Sequence, residues 1–317
     1  MSYIIGIDLG GTKIATILSD MQGNIIKRVE EATNAHEGQD AVIERIKETV
    51  YKVLDPGKDI VGIGIGSPGP LDLENGVVLK TPNLKWDNVP IRDILEEEFG
   101  ITTYLENDAN AAAAGEYRFG AGKGARNLIY ITVSTGIGSG IIIEGKVYRG
   151  AHGIAGELGH TIIDPNGPIC GCGQHGCLEA FASGTGLARR AILELQLGVE
   201  SIIRELVEGD LQKVTARTLE DAALKGDEFA RNMWESTGDY LGIGMTNVIN
   251  FLDPEMIIIG GGVSKAGELL FEPMRRSIKK RAIESAASKV KIVPAALGKD
   301  VGTLGAISVV IEALEAK

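Results

Sequence analysis

The pattern of apolar and polar positions in the first part of the chain predicts strands that alternate with helices. Short apolar runs between turn residues are typical of strands, and apolar residues spaced three or four apart are typical of amphipathic helices. The predicted strands cover residues 3–9, 14–18, 25–32, 60–65 and 101–105, and the predicted helices cover 39–54, 90–99 and 108–117. The order is three strands, then helix, strand, helix, strand and helix.

A similar order begins again near residue 127. Predicted strands cover 127–133, 138–143, a stretch from 147, 256–259 and 291–293, and predicted helices fill most of 180–226, then 227–252, 268–285 and 301–316. Strand–turn–strand starts at residues 3 and 127 predict an internal duplication, with two α/β domains built around mixed sheets. We expect a smaller domain of residues 1–119, joined by the last helix at 301–317, and a larger domain of residues 120–300.

Composition narrows the possible partners. The chain has 317 residues, 44% of them apolar and 24% charged, as in a globular protein, and its formal net charge is −11. An acidic chain argues against a nucleic-acid partner, because phosphate backbones require a basic face. It does not argue against ATP, since a local glycine-rich pocket can bind phosphate.

The N-terminal sequence and the apolar runs indicate a cytoplasmic protein. The first residues have no basic start and reach Asp8 almost at once, unlike a signal peptide. The longest uncharged run, 127–143, contains glycines and hydroxyl residues, and it predicts two strands around a turn, not a membrane span. Free thiols fit a reducing compartment.

A cysteine cluster is the most specific feature of the chain. Cys170, Cys172 and Cys177 fall within eight residues, and they are the only cysteines. Thiolates at this spacing suit a soft cation such as Zn²⁺, and an odd number of thiols leaves one unpaired in any disulfide scheme. A tetrahedral site needs a fourth ligand, for which His160 is favoured because the turn-rich segment 165–168 can fold the chain back; the other candidates are His175 and His152. The alternative is three idle thiols on a loop.

Two carboxylates, Glu157 and Glu179, flank this cluster. A metal-bound loop would fix their separation, and fixed acceptors of this kind bind polyhydroxylated ligands, which suggests a sugar site. The alternative is that both are solvated surface charges.

Two strand turns are candidates for phosphate binding. The first runs from Asp8 through Gly10, Gly11 and Thr12 to Lys13, and the second is 134–138. Backbone N–H groups in such turns can point at a phosphate. When the turns are aligned on their glycines, Asp8 matches Ser134, so only the first turn has a carboxylate that could hold Mg²⁺, usually through water. Either turn alone could be a hairpin that needs small residues.

Two nucleotide motifs are excluded. The segment 64–69 matches G-x-G-x-x-G, but that motif must open a helix, whereas 70–76 predicts a hairpin. We expect its glycines to let the backbone approach a ligand or another strand. No Walker A sequence is present.

Asn107 and Asp108 follow a predicted strand and precede an alanine-rich helix. A carboxylate there could take a proton from a substrate hydroxyl. The alternative is a plain N-cap, with either residue as the cap.

Four segments together resemble the signature set of the ROK family (repressors, open reading frames and sugar kinases): 8–13, 106–111, 156–160 and 170–179. The resemblance covers essentially the whole chain in order, and it is strongest to the bacterial-type glucokinases, helped by 182–189. It implies the actin-like, ribonuclease-H-related two-domain fold and the ATP-dependent phosphorylation of a hexose at its 6-hydroxyl, with glucose as the expected hexose.

The resemblance also implies roles for individual residues. Asp108 would be the catalytic base, and the sugar would be bound by Asn83, Asn107, Asp108, Glu157, His160 and Glu179. Structural Zn²⁺ would be held by His160, Cys170, Cys172 and Cys177. Mg²⁺ and the phosphates of ATP would face Asp8, Gly10, Gly11, Thr12 and Lys13, with Thr135 and Gly136 from the second turn and Gly261 and Gly262 near the nucleoside.

Several alternatives stay open or are disfavoured. Mannose, fructose and N-acetylmannosamine are alternative substrates, and a dimer or tetramer is expected from the resemblance. A sugar-responsive repressor of the same family is disfavoured, because a DNA-binding module and a basic patch are not found and Asp8, Lys13 and Asp108 are all present. A binding ATPase without a sugar substrate is disfavoured by the cysteine cluster and its flanking glutamates.

Overall fold

The computed structural model describes residues 2–81 and 83–316. The chain divides into two compact units: the first comprises Met1–Tyr130, Gly140–Gly156 and Ala295–Lys317, and the second comprises Ile131–Ser139 and Glu157–Pro294. Within the described residues, no helix has both the length and the apolar character that a membrane span requires.

The first part of the chain forms the predicted order of strands and helices. Its strands are β1 (Ser2–Leu9), β2 (Lys13–Asp20), β3 (Ile25–Ala32), β4 (Asp59–Ser67), β5 (Leu71–Asp72), β6 (Val77–Val78) and β7 (Thr103–Asn107). Its helices are α1 (Gln39–Val53), α2 (Ile91–Phe99) and α3 (Asp108–Phe119), with a 3₁₀ turn at Ala35–Glu37. β5 and β6 pair as an antiparallel hairpin, as the sequence predicts for 70–76.

These strands form a sheet with the order β3-β2-β1-β4-β7. β1 pairs antiparallel with β2 and parallel with β4, and β4 pairs parallel with β7. Ile5, Ile7 and Ile63 are fully buried, because strands covered on both faces favour β-branched apolar residues. The parallel strands β1, β4 and β7 therefore end at one edge of the sheet.

The rest of the chain repeats this arrangement. Its strands are β8 (Leu128–Val133), β9 (Ile137–Ile143), β10 (Lys146–Val147), β11 (Met256–Gly260) and β12 (Lys291–Pro294). Its helices are α4 (Leu178–Ala182), α5 (Gly184–Gln196), α6 (Ile203–Leu206), α7 (Ala216–Leu224), α8 (Glu228–Leu252), α9 (Glu268–Arg281), α10 (Glu284–Ala287) and α11 (Val301–Glu315). Four 3₁₀ turns occur here, at Leu158–His160, Leu211–Lys213, Val263–Ala266 and Gly298–Asp300. The second sheet has the order β10-β9-β8-β11-β12, the same pattern as the first, and the division into units cuts through β8 and β9.

The last helix, α11, packs against β1, β4 and α3 within the first unit. A Cβ at Gly64 would lie 2.1 Å from the carbonyl oxygen of Ala306, and one at Gly6 would lie 2.4 Å from that of Thr303. The first glycine of the G-x-G-x-x-G match therefore lets this helix approach the sheet. The expectation of a ligand or another strand at that glycine was wrong, because the neighbour is a helix.

Glycines serve the same purpose in the second unit, between α8 and α9. A Cβ at Gly242 would lie 2.7 Å from the carbonyl oxygen of Met274. The helix predicted for 268–285 ends earlier, at Arg281, because Ala282 is extended and Ile283 donates its N–H to the side chain of Asn250 at 3.0 Å.

Candidate active site and metal centre

The ends of three parallel strands collect candidate residues in the first unit. In the sheet register, Asp8 of β1 lies opposite Gly66 of β4, and Gly66 lies opposite Glu106 of β7. Asn107 ends β7 and Asp108 begins α3, so both follow directly after this row. Ligands of α/β sheets bind at this carboxyl edge of the strands.

Asn107, not Asp108, is the side-chain cap of α3. Its Oδ1 accepts hydrogen bonds from the backbone N–H of Ala109 at 3.0 Å and of Asn110 at 3.2 Å. Asp108 is exposed, and its Oδ1 also accepts from Ala109 at 2.7 Å. The N-cap of α3 is therefore Asn107, and the alternative that Asp108 is a plain N-cap is disfavoured.

A buried ion pair lies beside this helix start, and the sequence analysis did not assign it a role. Glu106 is 1% exposed, and its Oε2 accepts from Nε of Arg149 at 2.6 Å. Burial acts to lower the pKa of Arg149, but the charges and hydrogen bonds of Glu106 and Glu312 together outweigh it and hold that pKa above its usual value. The only sequence signal was a carboxylate inside an apolar strand, which needs a partner when buried.

The first strand turn has the geometry of a cradle. The N–H of Gly10 bonds the carbonyl of Lys13 at 2.9 Å, and a Cβ at Gly11 would lie 3.1 Å from Cβ of Asn83. Burial raises the pKa of the Asp8 carboxyl, and the charges of Lys13 and Arg28 only partly oppose this. A divalent cation at this carboxylate would restore its charged form. Thr12 completes the turn and is exposed.

The second strand turn lines a cavity of about 590 Å³ within the second unit. Its lining includes Ser134, Thr135, Thr185 and Gly262, together with the side chain of Trp234. Gly261 has φ +90°, and its missing Cβ would overlap the backbone of Val133. Of the four residues predicted to hold phosphate and nucleoside in this unit, Thr135 and Gly262 therefore line one cavity large enough for a small-molecule ligand, whereas Gly136 and Gly261 are only their sequence neighbours.

Glu179 connects two predicted features of the second unit. Its Oε2 accepts from the backbone N–H of Ile137 at 2.9 Å, and a Cβ at Gly136 would lie 2.5 Å from the same oxygen. Its Oε1 lies 3.6 Å from Sγ of Cys170. Glu179 is thus not a solvated surface charge, whereas Glu157 is exposed.

The predicted metal ligands come together. One donor atom from each of His160, Cys170, Cys172 and Cys177 lies within 4.8 Å of the others. Sγ of Cys172 and Cys177 are 3.7 Å apart, and Nδ1 of His160 is 3.7 Å from Sγ of Cys170. Tetrahedral zinc with Zn–S bonds of about 2.3 Å separates its sulfurs by about 3.8 Å, so the donor set fits this ion.

The protonation of these thiols also fits a cation. Burial raises the pKa of Cys177 to about 12 and also raises that of Cys170, whereas the backbone N–H of Gln174 lowers the pKa of Cys172. Two buried thiols would therefore stay protonated unless a metal ion displaced their protons.

The imidazole of His160 has two neighbours. Its Nδ1 faces the cysteines, and its Nε2 lies 3.9 Å from the Glu157 carboxylate. His175 lies outside the cluster, with Nδ1 3.0 Å from the carbonyl of Gly167.

Known proteins resemble this chain in sequence and in fold over nearly its whole length. The sequence model of the ROK family matches residues 4–313. A glucokinase of Thermotoga maritima is 42% identical over 98% of this chain and 97% of its own length. The crystal structure of a ROK family glucokinase from Streptomyces griseus in complex with glucose and AMPPNP aligns with a TM-score of 0.82 at 37% identity, covering 96% of this chain and 98% of its own. A xylose repressor of Caldicellulosiruptor bescii is 40% identical over 97% of this chain and 78% of its own length.

Proposed function

The chain belongs to the ROK family and has its duplicated, actin-like two-domain fold, and on that premise we propose that it transfers the γ-phosphoryl group of ATP to the 6-hydroxyl of glucose. The register that puts Asp8 and Glu106 in one row of the first sheet, with Asn107 and Asp108 following, carries the proposal. Asp8 in this row would face a metal–phosphate complex, and Asp108, which follows the row, would face the substrate hydroxyl. The glucokinase and hexokinase relatives favour glucose as the acceptor.

In the proposed reaction, Asp108 accepts the proton of the sugar 6-hydroxyl. The freed oxygen forms a bond to the γ-phosphorus while the bond from that phosphorus to the bridging oxygen of ADP breaks. The products are glucose 6-phosphate and ADP, and the proton on Asp108 later passes to solvent. Phosphoryl transfer depends mostly on positioning and charge stabilisation, and a general base adds about 10²- to 10⁴-fold.

The phosphates and the nucleoside are assigned to the two turns. Mg²⁺ bound near Asp8 would neutralise phosphate charge, with Gly11, Thr12 and Lys13 supplying donors and Gly10 closing the turn through its N–H. Thr135, Gly136, Gly261 and Gly262 would hold ATP at the cavity of the second unit, and the presence of Thr135 and Gly262 in the lining of that cavity supports this.

The sugar hydroxyls are assigned to Asn83, Asn107, Asp108, Glu157, His160 and Glu179. Support comes from the two faces of His160: its Nδ1 points to the cysteines and its Nε2 is left for another partner. Metal binding at one ring nitrogen fixes the tautomer at the other. Zn²⁺ at the four donors would be structural and would hold the segment 160–179, which bears His160 and Glu179.

Other sequence predictions stay predictions. The domains are proposed as residues 1–119 with 301–317 and residues 120–300. A cytoplasmic location, a homo-oligomeric state and the absence of a nucleic-acid partner likewise await measurement.

The test is an ADP-release assay with magnesium–ATP and a panel of glucose, mannose, fructose and N-acetylmannosamine. We expect the highest kcat/KM with glucose. Turnover with another sugar would keep the mechanism and change the substrate. Absence of sugar-dependent ADP release from zinc-loaded protein would overturn the proposal.

The similarity to xylose repressors favours one second candidate, a sugar sensor without turnover. Isothermal calorimetry separates the two. A sensor would bind a sugar such as xylose or glucose without releasing ADP, whereas a kinase would convert glucose in the same sample when ATP is added.

A further inference from the structure

The environment of Glu106 contains more than an ion pair. Its Oε1 accepts from the backbone N–H of Asn107 at 3.0 Å and from Nδ2 of Asn110 at 3.1 Å, while Oε2 takes the Arg149 guanidinium. One buried carboxylate thus holds the residue that caps α3 and a side chain from the first turn of α3. A buried carboxylate bound on both oxygens has a fixed orientation.

Asp108 lies inside this bonded frame. Its carboxylate is oriented by the N–H of Ala109, the same N–H that Asn107 caps. Any rotation of the helix start would therefore move the Asp108 carboxylate together with the cap. Glu106 determines where that helix start lies, because its Oε1 accepts hydrogen bonds from both Asn107 and Asn110.

Arg149 connects this frame to a second segment. It begins a loop closed by a hydrogen bond from the N–H of Ala155 to the Arg149 carbonyl at 3.1 Å. In sequence, this loop leads directly into Glu157 and His160. The Arg149 side chain is also 3.5 Å from the Glu312 carboxylate of α11. The guanidinium thus joins β7, α11 and the segment that precedes the proposed sugar ligands.

We propose that Glu106 and Arg149 are positioning residues for the Asp108 base, an inference that rests on the proposed function. Neither side chain needs to touch the substrate. Glu106 fixes the start of α3, and Arg149 holds the Glu106 carboxylate in its orientation. Loss of the guanidinium would leave a buried carboxylate without its cation, and that carboxylate would turn away from Asn107 and Asn110.

The structure permits chemical rescue as a test. Arg149 and Glu106 both line a cavity of about 790 Å³ in the first unit, so a small cation can reach the space left by a truncated Arg149. Arg118 lines the same cavity but pairs with Glu315 at 3.0 and 2.6 Å, and it serves as the matched control.

We expect Arg149→Ala to lower kcat about 10- to 100-fold, since small misplacements of a reacting group have effects of this size, while the KM for ATP stays within about twofold. Millimolar methylguanidinium should restore most of the lost kcat with saturation, and methylammonium should restore less, because it lacks the planar donor geometry. Arg118→Ala should keep the parent kcat and should not respond to either cation. Glu106→Gln should lose kcat without any rescue.

Two results would overturn the inference: a kcat for Arg149→Ala within about twofold of the parent, or a loss that methylguanidinium does not reverse in a folded variant. If Arg149→Ala does not fold, Glu106→Gln decides, and an unchanged kcat for that variant overturns the inference.

A parent without turnover would refute the proposed function alone. The inference would then be judged by hydrogen exchange of the amides of residues 107–110. Exchange should accelerate in Arg149→Ala and slow again with methylguanidinium, whereas exchange equal to the parent's would refute it.

Discussion

The two halves of the duplicated fold obtain the carboxylate at their first strand turn in different ways. In the first unit, Asp8 is part of strand β1, and its carboxyl packs so tightly against Gly302 that a Cβ there would lie 2.4 Å from its Cγ. In the second unit, Ser134 has the corresponding place, and the carboxylate is that of Glu179 from α4, which accepts from Ile137 at 2.9 Å. The carboxylate at the first strand turn thus comes from the strand itself in the first unit and from a distant helix in the second.

This difference assigns different tasks to the two units. A carboxylate on a strand end is placed by the backbone of the sheet, as Asp8 is by β1, and Asp108 is placed by the start of α3, which Glu106 holds. Glu179 lies two residues after Cys177, so its position depends on the loop that carries the three cysteines. We therefore expect changes in the first unit to affect turnover, and changes at the cysteine cluster to affect order and ligand affinity.

The largest effect should come from the proposed base. Asp108→Asn keeps the shape and the acceptor for Ala109 but cannot take a proton, so kcat should fall by about 10²- to 10⁴-fold. Glucose affinity by calorimetry and the melting temperature should stay close to the parent's. Asn75→Asp, a change in the exposed β5–β6 turn, serves as the control and should keep the parent kcat. Near-normal turnover of Asp108→Asn would mean that another group accepts the proton.

Removal of the proposed zinc ion should have the next largest effect, and that effect should be confined to the second unit. Structural zinc sites contribute on the order of 10 kcal/mol of apparent binding energy, so a chelator or Cys177→Ser should disorder 160–179. Because Glu179 would lose its support, we expect glucose affinity to fall at least about tenfold, by the loss of at least one charged hydrogen bond.

The matched control is His175→Ala, since His175 lies outside the cluster. Zinc content, thiol accessibility and hydrogen exchange give the readout. If the metal-free protein kept full glucose affinity, the link between the cluster and Glu179 would be wrong.

Substitutions that disturb packing should have smaller effects, and these effects should again differ between the two units. Gly64→Ala would put a Cβ against the backbone of α11, and overpacking of this kind typically costs about 1–3 kcal/mol. Gly242→Ala would do the same between α8 and α9. Urea unfolding should show destabilisation in both, but only Gly64→Ala should also lower kcat, because Gly64 shares β4 with the row of Asp8 and Glu106. Gly57→Ala, with room for its Cβ, is the control.

Local pattern was enough to predict most elements and the duplication. Alternation and helical spacing located the strands and helices, and cysteine spacing located the candidate metal ligands, because both signals lie within a few residues of sequence. The strand predicted for 101–105 lies at Thr103–Asn107, since Glu106 and Asn107 are poor strand formers and only their tertiary partners explain the shift.

The missed features join distant segments. Arg149 is 43 residues from Glu106, and no local pattern connects them. Gly302 was not linked to Asp8, and Trp234, which lines the cavity of the second unit, was not connected to Ser134 and Gly262. Such contacts depend on how helices pack on the sheets, which apolar spacing does not specify.

The smallest expected effect comes from the next pair of corresponding turns. In the first unit, Asp20 closes the β2–β3 turn, with its carboxylate accepting from the N–H groups of Gln22 and Asn24 at 2.9 Å each and from Nδ2 of Asn24 at 2.8 Å. In the corresponding β9–β10 turn, Glu144 and Gly145 have φ of 52° and 79°, and the N–H of Glu144 donates to Oδ1 of Asn127, outside the turn, at 2.9 Å.

Burial acts to raise the pKa of Asp20, but the hydrogen bonds from Asn24 and Gln22 outweigh it and hold that pKa below its usual value of 3.8. A carboxyl whose pKa is lowered by folding stabilises the protein above its unfolded pKa, and this contribution is lost as the pH falls through the folded value. Asp20→Asn should therefore cost about 1–2 kcal/mol at pH 7, and parent and variant should converge as the pH falls from 3.8 through the lowered folded pKa. Urea unfolding at several pH values gives the measurement. Glu144→Gln in the corresponding turn should change stability by less than about 0.5 kcal/mol, since its carboxylate makes an exposed pair with Arg126. A constant difference between Asp20→Asn and the parent across this pH range would show that the Asp20 charge does not hold the turn.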